Sequence, residues 1–306
     1  MAVWLADRFE VVGLSGRRPV GLDGCRPLVC DWSDDDAVTA AIRREAPRWI
    51  IHCGPLSRGS WDLPSPSLDA EREARRWSSL CRLAAGIKSR LTLISTDAVF
   101  EGPRMFHAEE SAASSSRPAA EAARNAERAV AGSGALVVRT HAYGWSPGGH
   151  ETCFAQRVWQ SLHDGVPVTF DQMRHATPIL ASDLAELLWL AYRRGLQGLC
   201  HIAGAERSSD YHFALELAAA FGLAVGPTVV GPGADRAGEG RVAEATAEVD
   251  PNGRPHLGET SLDTRRAHRE LRRPMPMLRE GLERFAAQAA SFRARLQPTQ
   301  PDRNAA

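Results

Sequence analysis

An α/β protein built on a doubly wound parallel sheet, with a smaller interleaved C-terminal α/β subdomain, is predicted by three features of this 306-residue sequence. Short β-rich runs alternate with helical ones through the first half, the rhythm of βαβ units. Apolar runs such as WIIHC (49–53) lack period-two alternation, as strands covered on both faces do. The stretch LTLISTDAVFEG (91–102) passes from a buried strand straight into a hydroxyl-rich, acidic turn, and ligands of open α/β sheets bind at the carboxyl ends of strands.

In chain order, strands are expected near 9–14, 27–30, 48–54, 91–96 and 135–140, with helices at about 34–46, 68–86 and 118–132 between them. DWSDDDAV (31–38) opens the first of these helices and supplies Ser33 or Asp34 as its N-cap. The second half is more mixed. Helices are predicted near 152–164, 180–194, 208–221 and 276–294, and short strands near 167–170, 199–204 and 228–231. GPGADRAGEG (231–240) reads as an exposed loop, and residues 296–306 as a disordered tail with nothing to bury. The predicted division is a main domain over 1–140 and a subdomain over 141–295 that returns segments to the main sheet.

Composition narrows the function classes. Lys+Arg and Asp+Glu both total 37, so net charge offers no attraction to nucleic acid or an anionic membrane. Lys88 is the one lysine, a bias assigned to base composition rather than to binding. No apolar run reaches the roughly 18 residues that cross a bilayer. MAVWLADRFEVV lacks the basic start of a signal peptide, and a cytoplasmic location is expected. The six cysteines are scattered without a C-x-x-C pair and read as reduced thiols, with no zinc site and no other metal expected.

STDAVFEG (95–102) resembles the S-T-D-x-V-F-x-G signature of the dTDP-4-dehydrorhamnose reductase family, a branch of the extended short-chain dehydrogenases. RTHAYGW (139–145), DQMRHATPILASDLAELL (171–188), and RPHLGETSLDT (254–264) followed by RRPMPMLREGLERF (272–285) are similar to three further segments of that family, in its order. The resemblance implies a modified Rossmann fold, a nucleotide sugar or related small molecule as ligand, and a substrate-binding role for the C-terminal subdomain. The regulatory beta subunit of methionine adenosyltransferase resembles these reductases and serves a catalytic protein, so a catalytic partner is a second expectation.

Two departures weaken the expectation of activity. Active members carry Tyr-x-x-x-Lys on the helix after S-T-D, the tyrosine as proton donor and the lysine lowering its pKa. Anchoring on Glu127 puts Ala119 at the tyrosine position and Ala123 at the lysine position, and no Tyr-x-x-x-Lys occurs anywhere in the chain. Thr96 is then the remnant of the catalytic set. Second, the glycine-rich turn that cradles a pyrophosphate is missing, because MAVWL reads as the end of a first helix running into a second strand. Either the true start lies upstream of Met1 or the cradle is lost. NADP is expected only in the first case, and no cofactor in the second.

Candidate cofactor contacts are Arg17 and Arg18, placed for a 2′-phosphate, together with Asp31 and Ser95. Against them stand a solvated loop for the arginines and helix capping for the acidic cluster. Candidate substrate contacts are Asp97, Val99, Phe100, Arg139, Tyr143, Asp171, Arg174 and Arg254, where arginine forks suit a diphosphate. The competing reading is that Arg139 and Asp171 tie the two subdomains together. His52, Cys53, His141, His175 and His201 are read first as structural. The alternative function is an active NADP-dependent reductase or epimerase that uses water, His141 or Asp97 to handle the proton.

Overall fold

The computed structural model describes residues 1–16, 21–62, 68–146, 153–170, 173–224, 229–230 and 258–296. The first half contains α1 (Ala2–Ala6), β1 (Val11–Ser15), β2 (Cys25–Val29), α2 (Asp35–Glu45), β3 (Trp49–His52), α3 (Ala70–Gly86), β4 (Arg90–Thr96), α4 (Pro118–Ala129) and β5 (Leu136–Tyr143). The second contains α5 (Phe154–His163), β6 (Thr169–Phe170), β7 (His175–Ala176), β8 (Pro178–Leu180), α6 (Ala181–Arg194), β9 (Gly198–His201), β10 (Ser208–Ser209), α7 (Asp210–Phe221), β11 (Val229–Val230), α8 (Arg265–Leu271) and α9 (Leu278–Leu296). The short strands β7, β8 and β10 are elements that pattern reading misses, because two or three residues carry no period, and helix α8, at seven residues, spans barely two turns. The predicted loop at 231–240 and most of the predicted tail lie outside the described residues.

Strands β3, β4, β5 and β8 form one sheet in that order, β9 also pairs with β5, and every pairing is parallel. β1 and β2 form a separate parallel pair, and among the described residues β1 is not hydrogen-bonded to β3. The gap is bridged by side chains: the Phe9 ring meets Trp49 of β3 at 5.7 Å and Tyr192 of α6 at 5.9 Å.

Both faces of the main sheet are covered, which is why its strands read as continuous apolar runs. Leu91, Leu93 and Val137 face a core shared with α2, α3 and α4, whereas Ile94, Leu136 and Val138 face a second core built with α6 and α8. A third core gathers Tyr143, Trp159, Phe213 and Phe285 from β5, α5, α7 and α9. Helix starts follow the sequence signals. Asp34 caps α2 by accepting from the Asp36 and Ala37 amides, Asp69 caps α3, and Pro118 opens α4.

Ala122, Ala123 and Ala126 on α4 are fully buried in the core they share with Trp77, Leu80 and Leu83 of α3. A methyl side chain lets the two helix backbones approach closely. Ala123 therefore has a packing role that anything larger would disturb.

Buried imidazoles make this fold sensitive to acid. Burial and Arg76 hold His52 down to about 4, and burial and Arg139 hold His201 down to about 3. Both rings are neutral in the fold and titrate near about 6.5 once exposed. The unfolded chain thus binds up to two more protons as pH falls from about 6.5 towards 4, and stability drops by about 2.7 kcal/mol per pH unit where both differences are complete. Urea unfolding followed by tryptophan fluorescence should show a midpoint that is steady above pH 7 and falls clearly by pH 5. A midpoint unchanged to pH 5 would contradict the neutral burial of these rings.

Candidate functional site

The turn after β4 meets three other segments at one buried carboxylate. Asp97 is completely buried at the carboxyl end of the strand. Its Oδ1 accepts from the Ser60 amide at 2.9 Å, and His141 Nδ1 on β5 lies 2.8 Å from Oδ2. A carboxylate only accepts, so Nδ1 carries the proton of that bond. The hydroxyls of Ser60 and Thr260 stand 2.7 and 2.5 Å from Oδ2 and 2.8 Å from each other. Burial alone would raise the Asp97 pKa, but His141 and the bonds from Thr260 and Ser60 outweigh it and hold the group below its ordinary value.

Thr96, adjacent to Asp97, is committed to the same junction. Its hydroxyl donates to the Arg58 carbonyl at 2.5 Å and accepts from the Ala98 amide at 3.0 Å. Residues 54–62, the segment following β3, thus lie directly over Thr96 and Asp97. Leu56 and Trp61 anchor this loop in two different cores, at 3% and 2% exposure. Further bonds fasten it: Gly59 N to Asp62 Oδ2, Phe154 N to Asp62 Oδ1, Arg157 Nη2 to the Trp61 carbonyl and Arg174 Nη2 to the Ser60 carbonyl. Gly59 is needed for the close approach, because a Cβ there would sit 2.8 Å from His141 Nδ1. The recess left beside the loop, bordered by Trp61, Phe100, Arg117, Arg174 and Thr260, measures about 10 Å³, room for one water.

The remaining predicted residues divide sharply. Arg139 is buried and clamps Glu127 of α4 through bonds of 3.0 and 2.6 Å, and Ser95 donates to the same glutamate at 2.6 Å. The guanidinium also lies 5.0 Å over the Phe100 ring. Phe100 in turn stacks on His107 at 4.2 Å and meets His201 edge-on, while Val99 is fully buried. Tyr143 packs between Phe213 and Phe285, its hydroxyl so close to α9 that a Cβ at Gly281 would stand 2.5 Å away. Arg174 lies at the recess, half-buried, and faces Asp210 at 3.8 Å. Asp31 is exposed and accepts from Ser33 N and Oγ at 2.8 and 2.7 Å, while the cap of α2 is Asp34. Arg17, Arg18, Asp171 and Arg254 lie outside the described residues.

Cys53 carries accessible surface, yet the protein packed around its sulfur pushes the thiol up to about 11. The neutral His52 beside it supplies no positive charge, so the thiolate population at neutral pH is negligible. Among the described residues no cluster of three or more His, Cys, Asp or Glu is placed to hold a metal, and no helix is long and apolar enough to cross a membrane. Sequence reading misses Ser60, Trp61 and Thr260, whose importance comes from contacts across 37 and 163 residues.

Two substitutions probe this geometry. Asp97→Asn keeps the shape but turns an NH2 donor towards groups that themselves donate, and should cost about 3–5 kcal/mol in urea unfolding. A loss below about 1 kcal/mol would show that the carboxylate does not hold these segments together. Ala123→Lys places a cation among Trp77, Leu80 and Phe100 and should lower stability by several kcal/mol, on the order of a buried unpaired charge. The same change at half-buried Ala119 should cost far less.

Over residues 7–291 the chain matches the family described as the RmlD substrate binding domain. It is 27% identical over 198 residues to Methionine adenosyltransferase 2 subunit beta of Xenopus laevis, a match covering 62% of this chain and 59% of that protein's length. Among solved structures it is similar to a hypothetical dTDP-4-dehydrorhamnose reductase from Sulfolobus tokodaii, with TM-score 0.66, 22% identity and 87% of each chain covered. The dTDP-4-dehydrorhamnose reductase of Bacillus anthracis str. Ames in complex with NADP gives TM-score 0.66 at 16% identity, covering 92% of this chain and all of that one. Bordetella bronchiseptica WbmG in complex with NAD and UDP gives 0.66 at 14%, covering 94% and 89%. These structural likenesses establish the fold.

Proposed function

The chain belongs to the RmlD substrate binding domain family, and from that premise we propose that it is a sugar-nucleotide-binding member that no longer performs hydride transfer and serves a binding or regulatory role. One observation carries this reading: Thr96 and Asp97 spend their polar groups on the loop 54–62, while the two positions that would supply a proton donor and its lysine hold Ala119 and buried Ala123. An alanine neither gives a proton nor carries a charge. Arg117 and Arg174 stand at the rim of the water-sized recess, and guanidinium groups there suit a diphosphate bound at that rim. Structural neighbours in complex with NADP and NAD support a nicotinamide cofactor as a further ligand. The likeness to a transferase's beta subunit supports a catalytic protein as partner.

A second reading, a working NADP-dependent reductase or epimerase, draws support from the buried Asp97–His141 pair directly beside Thr96. In it His141 would take the place of the family's tyrosine as proton donor.

NADPH consumption with dTDP-4-dehydrorhamnose separates the two. No reduction above background is expected, since loss of the proton donor and its lysine costs on the order of 10²–10⁴-fold. Clear turnover would overturn the binding role, and its loss in His141→Asn would then assign the proton to that ring. The double variant Ala119→Tyr with Ala123→Lys is expected to stay inactive, because loop 54–62 and the α3–α4 contact oppose both side chains. A dTDP-sugar at about 100 times its Kd should raise stability by about 2.7 kcal/mol, read as a shift in thermal unfolding. No shift with any nucleotide sugar would leave a purely structural interaction protein.

A further inference from the structure

On the side of the molecule formed by α1, β3 and α6, arginines lie on aromatic rings in an unbroken series. The Arg8 guanidinium sits 3.8 Å from the Trp4 ring centre and 5.6 Å from that of Trp189, and Arg193 covers Trp189 at 5.2 Å. Trp4 and Trp189 meet edge to face at 6.3 Å. Trp189, Tyr192 and Arg193 are three and four residues apart on α6 and share one face. From there the series continues: Trp49 stacks on Tyr192 at 4.5 Å, and Arg90 lies 5.1 Å over Tyr192. Trp49, Arg90 and Tyr192 open onto a groove of about 280 Å³ at the amino ends of the strands, opposite the end that carries Asp97.

On this face Arg8 and Arg90 each donate an N–H to a backbone carbonyl, of Trp4 and Tyr192. Arg8, Arg90 and Arg193 are exposed, and among the described residues none of them pairs with a carboxylate. Other arginines of the molecule are matched to carboxylates, as Arg139 is with Glu127, Arg207 with Glu259, Arg265 with Asp263 and Arg284 with Asp183. A guanidinium laid on a ring is held in place while its N–H edge stays available, so little conformational freedom remains to be lost when a carboxylate arrives. Tryptophan, tyrosine and arginine are also the residues that dominate protein-binding hot spots.

We propose that this face is a docking surface for an acidic segment of another protein, with carboxylates on Arg8, Arg90 and Arg193 and an apolar side chain in the groove beside Trp49. A second copy of this chain fits poorly, because a two-fold contact would set these arginines against themselves. A nucleic-acid strand fits poorly too. Base stacking needs open ring faces, and here Arg8, Arg193 and the Trp49–Tyr192 stack already cover them. The surface lies apart from the recess beside Asp97 and does not depend on what that recess binds.

Fluorescence polarisation with the full chain and a labelled peptide of repeated Glu-Glu-Leu-Phe tests the proposal, with a Lys-Lys-Leu-Phe peptide and a labelled single-stranded oligonucleotide alongside. The acidic peptide should bind in preference to both, and more weakly as salt rises. Arg8→Glu with Arg193→Glu should weaken it at least about tenfold, a change of about 1.4 kcal/mol. Arg279→Glu, at an exposed arginine already paired with Glu283, should leave it unchanged. Arg8→Gln with Arg193→Gln, checked for an unaltered unfolding midpoint, should give an intermediate loss and separates lost contact from lost fold. Absence of acidic-peptide binding, equal binding of the two peptides, preference for the oligonucleotide, or unchanged affinity in both double variants would each overturn it.

Discussion

A carboxylate with no access to water needs a full set of donors, and at Asp97 those donors come from segments far apart in sequence. Isolated, a buried carboxylate would neutralise itself by taking up a proton. Here His141 from β5, Ser60 from the loop after β3 and Thr260 from the segment before α8 converge on it. That requirement sets the position of loop 54–62 over the end of the sheet, joins the first core to the third through Leu56 and Trp61, and decides how little space remains beside Thr96. Breaking one donor leaves the others around an incompletely compensated charge, so the junction acts as a unit.

Helix α4 shows a second constraint of the same kind. Its buried alanines are contacts in the fold. Ala123 fills a position against α3 where no cation could be hydrated, and the neighbouring polar group, Glu127, is taken up by Ser95 and Arg139. The helix contributes packing and a buried ion pair.

The arginine-on-aromatic face at the opposite end of the strands belongs to a different regime. There the charges remain at the surface, held by rings instead of by carboxylates. At the carboxyl end Arg139 is engaged by Glu127, and Arg174 by the Ser60 carbonyl and Asp210. At the amino end Arg8 and Arg90 donate to backbone carbonyls and, with Arg193, meet no carboxylate among the described residues.

The α/β class, the covered parallel sheet and the long helices were legible in the sequence, because each rests on local periods, caps and apolar runs that neighbouring residues carry together. STDAVFEG also located the turn where polar groups converge. The missing Tyr-x-x-x-Lys is a fact of the sequence alone. What the sequence could not decide was how each polar side chain is spent. Arg139 and Tyr143 have the residue types of a ligand cleft, but a partner 12 residues away in Glu127 and a close approach by α9 at Gly281 turn them into internal supports. Ser60 and Thr260, 200 residues apart, carry no local signal and meet only because the chain closes around Asp97. Periodicity reports which face of an element is buried; hydrogen-bond partners and ring contacts between distant segments depend on tertiary placement, and that was decided by the fold.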